Sequence, residues 1–314
     1  MGRAQTLWAG VAQARWAAMK ADGFDAWVRS ALEATETALD AWVPRDTPAG
    51  LGDAMRYGVL DGGKRLRPLL VLAACEAVAG NPRAAVRAAC AVELIHAYSL
   101  IHDDMPCMDN DVLRRGKPTV HVQFGQAQAM LAGDAMQALA FEVLTPGESD
   151  MPPALQARLC ALLARAAGHE GMAGGQAIDL ASIGQPLHEA ALRDMHRRKT
   201  GALLQASVLM GAACGETSAA AWAALADYGA AVGLAFQVVD DILDVTQGTE
   251  ILGKTAGKDL HHNKPTYVSV IGLDAARRHA AELRDQAHAA LARSSLAIAA
   301  RLSMLADKVV ERDS

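Results

Sequence analysis

Apolar residues recur at intervals of three and four along most of the chain, and this spacing predicts amphipathic helices. Phe24, Trp27, Val28, Ala31 and Leu32 give the first example. Residues so spaced share one face of a helix. The same spacing predicts helical stretches at about residues 67–104, 119–144, 152–181, 187–213, 217–247, 273–293 and 296–311. Strand-like alternation is absent over any useful length, so the pattern predicts an all-α protein.

Glycine and proline residues separate these stretches, and turns are expected where they cluster. The breaks lie at Asp61-Gly62-Gly63, Met105-Pro106, Gly116-Lys117-Pro118, Pro146-Gly147, Pro152-Pro153, Gly184-Gln185-Pro186 and between Gly248 and Pro265. No fixed-period repeat occurs, which disfavours a solenoid. Nothing reads as a linker either. We therefore expect one helical domain over residues 1–314, with 1–20 as an N-terminal extension.

Composition narrows the class of protein. Apolar residues make up 52% of the sequence and aromatic residues only 4%, so we expect a core of alanine and leucine, which favour helix. The formal net charge of −5 argues against nucleic acid as a partner, because binding its backbone needs a positive surface. Any anionic ligand must instead meet a local basic cluster or a metal ion.

Cysteine content and hydropathy predict a cytoplasmic protein without an integral membrane segment. The five cysteines are odd in number and irregularly spaced, which fits thiols in a reducing compartment better than disulfides. The sequence contains no run of about 18 apolar residues, so it predicts no bilayer span. The N-terminal residues mix polar and apolar types at helical spacing, unlike a secretory signal.

A first group of carboxylates follows an apolar helical stretch. Asp103, Asp104 and Asp109 lie at or just beyond the predicted end of this helix, which Pro106 terminates. Acidic side chains at a helix C-terminus oppose the macrodipole and cost about 0.3–1 kcal/mol each. A hard cation would offset this cost, so the group is a candidate metal site.

A second group of carboxylates lies inside a later helical stretch. Asp240 and Asp244 are four residues apart on one face, with Asp241 beside them, although like charges at this spacing repel. Two carboxylate groups with few His or Cys residues around them match the oxygen ligands that Mg²⁺ prefers. The alternative for either group alone is a solvated acidic surface.

Basic residues lie at turns that follow or precede these groups. They are Lys64, Arg65 and Arg67; Arg114, Arg115 and Lys117; Lys199 beside Thr200; and Lys254, Lys258 and Lys264. Arginine binds phosphate through a planar fork and lysine as a point charge, so together they predict diphosphate recognition. Each one alone is more often simply solvated. His96, two turns before Asp103, is by itself more often a core histidine than a phosphate ligand.

Taken together, these motifs resemble the trans-prenyl diphosphate synthase family, especially its bacterial farnesyl diphosphate synthases. The resemblance runs from about Gly50 to Leu273. Its motifs, in order, are Gly62-Gly63-Lys64-Arg65-Leu66-Arg67-Pro68, Asp103-Asp104 through Asp109 with Arg114-Arg115-Gly116, Gly174-Gly175-Gln176 with Asp179, Lys199-Thr200-Gly201, and Phe236-Gln237 through Asp244.

The resemblance implies an isoprenoid-synthase helical bundle around a deep central cavity, and a homodimer. It implies that Asp103 and Asp109, with Asp104 close by, hold two Mg²⁺ ions. Asp240, supported by Asp244, would hold a third. The third acidic position of the first motif lies two residues farther on than in the shortest family motif, as in the bacterial farnesyl and plant geranylgeranyl types.

The family pattern also implies ligands for two isoprenoid diphosphates. Those for the allylic diphosphate are Arg114, Lys199, Thr200, Gln237, Lys254 and Lys264, and those for isopentenyl diphosphate are Lys64, Arg67, His96 and Arg115. Lys199, Thr200 and Gln237 would also be catalytic, by stabilising the carbocation and the leaving group. No nucleophilic side chain is required, because metal-assisted ionisation precedes attack by the isopentenyl double bond and loss of a proton.

Product length is expected to depend on residues one turn before the first aspartates. Tyr98 and Ser99 lie about 7.5 and 6 Å before Asp103 along the helix. By resemblance, a bulky Tyr98 stops elongation at (2E,6E)-farnesyl diphosphate, whereas the alternative is an ordinary partly buried tyrosine. The stretch from Gly248 to Pro265 looks closer to longer-chain relatives, which keeps geranylgeranyl diphosphate as an alternative product.

Three other classes of protein fit the sequence less well than a synthase. A non-catalytic prenyl-synthase-like subunit usually lacks at least one aspartate motif, and both are intact here. A di-metal carboxylate bundle would need paired Glu-x-x-His motifs that the sequence does not arrange. A terpene cyclase would not need the second diphosphate site that Lys64, Arg67 and His96 predict.

Overall fold

The computed structural model describes residues 23–60, 62–147, 151–185, 187–246 and 266–312. Almost all regular structure in these residues is helical. The strands found there, β1 (Leu113–Arg114) and β2 (Lys117–Pro118), form a short antiparallel pair. The all-α prediction is therefore confirmed.

Most of the described helices follow the predicted stretches, often divided into shorter segments, whereas the short helices at residues 51–59 and 267–271 lie outside them. In chain order they are α1 (Phe24–Trp42), α2 (Leu51–Val59), α3 (Leu66–Ala77), α4 (Pro82–Asp103), α5 (Val120–Phe124), α6 (Gln126–Leu144), α7 (Pro153–Ala167), α8 (Met172–Ala181), α9 (Glu189–His196), α10 (Ala202–Ala213), α11 (Ala219–Thr246), α12 (Tyr267–Ile271), α13 (Leu273–Ser294) and α14 (Ala300–Val310). A 3₁₀ turn covers Pro48–Gly50, and a π-helical segment, Arg197–Gly201, joins α9 to α10.

The stretch predicted at 67–104 is two helices, and local chemistry explains the break. Ala79 adopts a left-handed conformation with φ 49°, which a continuing helix cannot accommodate. The side chain of Asn81 then accepts hydrogen bonds from the backbone N–H groups of Arg83 (2.9 Å) and Ala84 (3.3 Å). Pro82 occupies the first helical position, where its missing N–H costs nothing. The periodic pattern crosses this break because both helices bury apolar residues.

Contacts divide the described chain into two compact units. Unit 1 consists of the described parts of Met1–Val112, Thr119–Ala161 and Ser207–Thr217, and unit 2 of those of Leu113–Pro118, Leu162–Ala206 and Ser218–Ser314. The expectation of a single domain stays a prediction.

Helix α4 lies at the centre of unit 1. Leu94 and Ile95 on this helix are fully buried, as are Leu70 on α3 and Met136 on α6. Helix α6 approaches α4 closely at Gly133, where an added Cβ atom would lie 2.1 Å from Nε2 of His102. This packing holds the C-terminal end of α4, where the first aspartates lie.

Helix α11 lies alongside α13 in unit 2, and glycines permit close helix contacts. A Cβ atom added at Gly233 would lie 2.8 Å from the Cα atom of Gly201, so the π-helical segment packs directly on α11. The buried hydroxyl of Tyr228 donates a hydrogen bond to the carbonyl of Leu302 at 2.7 Å. This bond ties α14 to α11.

Helices α4 and α11 are long and apolar enough, by length and composition alone, to cross a membrane. The most apolar window of α4 is 83% buried inside the protein and that of α11 is 50% buried. Core helices pass the same test when their apolar surface is covered by protein. The absence of a membrane segment stays a prediction.

Candidate active site

A tight turn brings the first aspartates together in unit 1. Helix α4 ends at Asp103, and the backbone N–H of Asp109 donates to the carbonyl of Asp103 at 2.8 Å. The N–H of Asp111 donates in the same way to Asp104 at 3.0 Å. The backbone of Asp109 therefore returns beside that of Asp103, although six residues separate them.

Burial distinguishes these aspartates. Asp103 and Asp109 are partly exposed, whereas Asp104 is only 2% exposed. The first two can present carboxylate oxygens to a cation, whereas Asp104 is buried.

The basic turn before α3 also belongs to unit 1. Gly62 and Gly63 have φ values of 95° and 119°, which glycine adopts readily. Lys64 is exposed at this turn, Arg67 is buried on the first turn of α3, and His96 is partly buried on α4. The structure thus places these three predicted ligands in one unit.

Tyr98 and Ser99 are both buried on α4, at 9% and 4% exposure. The hydroxyl of Tyr98 accepts a hydrogen bond from Nε2 of Gln137 on α6 at 3.3 Å, and its ring lies edge-on to His102. Burial raises the pKa of Tyr98, so the hydroxyl stays neutral. The hydroxyl of Ser99 donates to the carbonyl of His96 at 2.8 Å. The ring of Tyr98 is therefore held in place by α6.

Arg114 and Arg115 lie in the β1–β2 hairpin, which belongs to unit 2. Arg115 and Gly116 both have positive φ values, 54° and 75°, as a two-residue type I′ turn requires. Arg114 is partly buried and pairs with Lys117 across the strands, while Arg115 is exposed at the tip.

The π-helical segment presents Lys199 and Thr200 in unit 2. Nζ of Lys199 lies 2.6 Å from a carboxylate oxygen of Asp179, which is buried on α8. Helix α8 can approach because residue 175 is glycine: a Cβ atom there would lie 2.1 Å from the backbone nitrogen of Lys199. Irregular π turns of this kind are common at functional sites.

A chain of hydrogen bonds fixes the amide of Gln237. Thr200 donates its hydroxyl to Oε1 of Gln237 at 2.9 Å, and Nε2 of Gln237 donates to Oδ1 of Asp241 at 2.9 Å. The other oxygen of Asp241 accepts the backbone N–H of Tyr267 at 2.8 Å. Because a carboxylate only accepts, the amide orientation is determined.

The second aspartates differ in the same way as the first. The side chain of Asp240 is 38% exposed, whereas Asp241 and Asp244 are 3% and 6% exposed. Nη2 of Arg312 donates to Oδ1 of Asp240 at 2.7 Å and to the carbonyl of Phe236 at 2.6 Å. The guanidinium lies 3.9 Å from the centre of the Phe236 ring. The guanidinium of Arg312 therefore contacts Asp240, the most accessible of these three carboxylates.

An aromatic stack lies behind the π-helical segment. The rings of His196 and Tyr267 are stacked at 5.5 Å. Burial lowers the pKa of His196 to about 4, against the attraction of Asp179. Burial likewise raises the pKa of Tyr267 to about 12. Both side chains are therefore neutral at physiological pH.

The chemistry of the donor set fits Mg²⁺. Both aspartate groups offer oxygen ligands with a partly exposed carboxylate, and Mg²⁺ is usually bound by one or two carboxylates together with substrate phosphates and water. Within the described ranges, no cluster of three or more His, Cys, Asp or Glu side chains could hold a metal by itself.

Two predicted ligands, Lys254 and Lys264, lie outside the described residues. The site also contains residues that sequence reasoning did not assign a role: Asp179, Asp241 and Arg312. Asp179 stands in a glycine-containing motif, and that glycine is the signal that could have located its ion pair with Lys199. Arg312 lies 72 residues from Asp240 and carries no comparable signal.

Comparison with known proteins identifies the family of the chain. The profile of the family described as polyprenyl synthetase matches residues 48–300. The chain is 45% identical over 292 residues to a chloroplastic geranylgeranyl pyrophosphate synthase of Capsicum annuum, covering 93% of this chain and 79% of that protein.

Solved structures agree in fold. An FPP/GFPP synthase from Zymomonas mobilis is 40% identical, with a TM-score of 0.81 over 91% of this chain and 98% of its own. A geranyltransferase from Helicobacter pylori, complexed with magnesium and isoprenyl diphosphate, is 32% identical with a TM-score of 0.81, covering 92% of this chain and 97% of its own. The helices described above therefore form the isoprenoid-synthase fold that the motifs predict.

Proposed function

Because the chain belongs to the polyprenyl synthetase family, we propose that it condenses isopentenyl diphosphate with dimethylallyl and geranyl diphosphate to give (2E,6E)-farnesyl diphosphate. That it is a prenyl diphosphate synthase rests on the family match and on its relatives. The choice of farnesyl as product is carried by one observation, the buried and hydrogen-bonded ring of Tyr98.

The partly exposed aspartates would bind the metal ions. By the family pattern, Asp103, Asp109 and Asp240 would hold three Mg²⁺ ions with the allylic diphosphate, supported by the buried Asp104 and Asp244. When bound, Mg²⁺ supplies positive charge that stabilises the departing diphosphate. The H. pylori geranyltransferase was solved in complex with magnesium and isoprenyl diphosphate, which supports magnesium as the metal.

Basic side chains would divide between the two substrates. Arg114, Lys199, Thr200 and Gln237 would hold the allylic diphosphate together with Lys254 and Lys264, and Lys64, Arg67, His96 and Arg115 would hold isopentenyl diphosphate. Charged hydrogen bonds of this kind are about twice as strong as neutral ones. Two diphosphate sites distinguish a synthase from a cyclase.

The chain's own residues then guide the reaction. The C–O bond of the allylic substrate breaks, its electron pair leaves with diphosphate, and the isopentenyl double bond attacks the allylic cation. The amide of Gln237, whose oxygen accepts from Thr200 and whose nitrogen donates to Asp241, would place a fixed dipole where positive charge develops. The ion pair with Asp179 fixes the position of the Lys199 ammonium group. The released diphosphate takes the proton, which completes the new chain.

Tyr98 supports the shorter product. It lies five residues before Asp103 on α4, about 7.5 Å along the helix. Its hydroxyl accepts a hydrogen bond from α6, so the ring must break this bond if it is to move away from a growing tail. A tail that extends from Asp103 along α4 would end at this ring.

Geranylgeranyl diphosphate is the second candidate product. The curated relatives that match over most of the chain at 43–48% identity carry the name geranylgeranyl pyrophosphate synthase. These names support the longer product better than the farnesyl product, whose support is Tyr98.

The test is incubation of purified protein with Mg²⁺, isopentenyl diphosphate and either dimethylallyl or geranyl diphosphate, followed by chain-length analysis. A C15 product supports the proposal. A C20 product would retain the synthase and overturn the role of Tyr98. Consumption of geranyl diphosphate without isopentenyl diphosphate would indicate a cyclase, and no condensation would favour a non-catalytic subunit.

We also propose a cytoplasmic homodimer. Met130 and Leu131 on α6 and Val122 on α5 are 40%, 54% and 49% exposed, and exposed apolar side chains are available to a protein partner. Size-exclusion chromatography with light scattering tests the dimer, and a monomer at micromolar concentration would contradict it.

A further inference from the structure

Arg65 is the one basic residue of the turn at Lys64, Arg65 and Arg67 whose side chain is turned fully inward. Only 1% of this side chain is exposed. Its Nε donates to Oε1 of Glu36 at 2.6 Å, Nη1 donates to Oε1 of Glu93 at 2.7 Å, and Nη2 donates to the carbonyl of Val59 at 2.5 Å. All three guanidinium nitrogens are engaged, so Arg65 cannot serve as a diphosphate ligand.

These bonds join four helices of unit 1 at one point. Glu36 lies on α1, Val59 is the last residue of α2, Arg65 precedes the first turn of α3, and Glu93 lies on α4. The bond to Val59 also satisfies a carbonyl at a helix C-terminus, where a cation is favoured. Arg65 therefore fixes where the basic turn leaves α2 and where α3 begins.

The Arg65–Glu93 pair of this network is buried charge. The side chain of Glu93 is 3% exposed, and its second oxygen, Oε2, has no hydrogen-bond partner within the described part of the chain. Buried ion pairs of this kind are often no more stabilising than apolar residues of the same volume. Arg65 also adopts a left-handed conformation with φ 45°, which a side chain with a Cβ atom resists. The ion pairs hold this conformation in place.

Three of the four residues proposed to hold isopentenyl diphosphate adjoin this network. Lys64 precedes Arg65, Arg67 follows it by two residues, and His96 lies one turn after Glu93 on α4. With Arg65 drawn inward, Lys64 is exposed at the turn and Arg67 lies on the first turn of α3. One buried ion pair thus sets the spacing between ligands on two different elements.

We propose that the buried Arg65–Glu93 ion pair, with Glu36, is a positioning device for the isopentenyl diphosphate site, acting through Lys64, Arg67 and His96 and never touching substrate. This inference rests on the proposed function. Loss of the pair lowers affinity for isopentenyl diphosphate and leaves the allylic substrate and the chemical step little changed.

The variants are Glu93→Gln, which keeps the shape and removes the charge, and Arg65→Met, which removes the pair. A matched control is Arg56→Met. Arg56 is also a mostly buried arginine of unit 1, bonded to the side chain and carbonyl of Asp40 and to the carbonyl of Val43. The expected result is a KM for isopentenyl diphosphate raised about tenfold, the size of one lost charged hydrogen bond. The kcat and the KM for geranyl diphosphate should stay within about twofold, and Arg56→Met should leave both KM values unchanged.

A double-mutant cycle separates positioning from general loosening. In the Glu93→Gln background, Lys64→Ala should weaken binding of isopentenyl diphosphate much less than it does in the parent protein, because a misaligned Lys64 already contributes little to binding. Equal costs in both backgrounds, or a parallel rise of both KM values, would overturn the inference. The same comparison with Glu93→Gln remains informative if Arg65→Met fails to fold.

Calorimetric binding of isopentenyl diphosphate to the parent protein distinguishes the two claims. If the parent protein binds and condenses isopentenyl diphosphate but the effects of Lys64→Ala and Glu93→Gln are additive, only the positioning role is refuted. A parent protein that neither binds nor condenses isopentenyl diphosphate would refute the proposed function and this inference with it.

Discussion

Replacing His196 by phenylalanine should remove part of the protein's sensitivity to acid. His196 is 5% exposed and stacks on Tyr267 at 5.5 Å, a contact that phenylalanine can keep. Neither ring nitrogen has a hydrogen-bond partner among the described residues. A carboxylate oxygen of Asp241 lies 3.7 Å from Nε2 and Asp179 attracts the proton as well, but burial outweighs these carboxylates and lowers the pKa of His196 to about 4.

The direction of the effect follows from proton uptake. The unfolded chain takes up this proton near the ordinary value of 6.5, and the folded protein only near about 4. Between these values the unfolded state binds more protons, so stability falls as the pH falls. At about 1.4 kcal/mol per pKa unit, the full difference is worth roughly 3 kcal/mol. About 2 kcal/mol of this develops between about pH 7 and pH 5.

Urea unfolding followed by circular dichroism at several pH values measures the effect. We expect the free energy of unfolding of the parent protein to fall by about 2 kcal/mol more than that of His196→Phe between about pH 7 and pH 5. All other titrating groups are common to both proteins and cancel in this comparison. Parallel curves would refute the reasoning, because they would mean that His196 is protonated as readily when folded as when unfolded.

Three further predictions concern the site. Tyr98→Ala should shift the product from C15 to C20 or longer, because it removes the ring that would meet the growing tail. Gly175→Ala should lower the free energy of unfolding by about 1–3 kcal/mol and reduce kcat, since the added methyl group would lie 2.1 Å from the backbone nitrogen of Lys199. Arg312→Gln should lower, by roughly two- to fivefold, the Mg²⁺ concentration that half-saturates thermal stabilisation in the presence of inorganic diphosphate, because Arg312 no longer neutralises Asp240.

Matched variants serve as controls for these predictions. Tyr98→Phe keeps the ring and should keep the product, so a C15 product from Tyr98→Ala would contradict the role of the ring. Gly147→Ala adds a methyl group that meets nothing within 4 Å and should be neutral. Arg284→Gln removes a charge that contacts only exposed carboxylates at Asp285 and Glu311. An equal Mg²⁺ shift in that variant would point to net charge rather than to the contact with Asp240.

The sequence predicts the helices well because apolar spacing reports burial, and it predicts their breaks less well. The break at Asn81 needs a capping side chain and a left-handed residue at Ala79, which periodicity does not record. The short helix α2 was not among the predicted stretches, because its nine residues offer few periodic positions.

The candidate site was predictable where it rests on local motifs. The family pattern identifies Asp103 and Asp109, but only the backbone bond between them explains how the longer spacing still brings them together. Lys64 and Arg65 are equivalent cations in the sequence, and their opposite orientations depend on carboxylates at Glu36 and Glu93, far away along the chain. Arg312 reaches Asp240 through the packing of α14, a tertiary contact without a sequence signal.

The most direct test of the central claim is competition between primers. Purified protein would be incubated with Mg²⁺ and isopentenyl diphosphate in the presence of equal amounts of geranyl and farnesyl diphosphate, and the chain lengths would be followed with time. The account predicts that geranyl diphosphate is consumed to C15 and that farnesyl diphosphate accumulates unextended, with no condensation in EDTA. Rapid conversion of farnesyl diphosphate to C20 would contradict the role of Tyr98, and the absence of any condensation would contradict the proposed function itself.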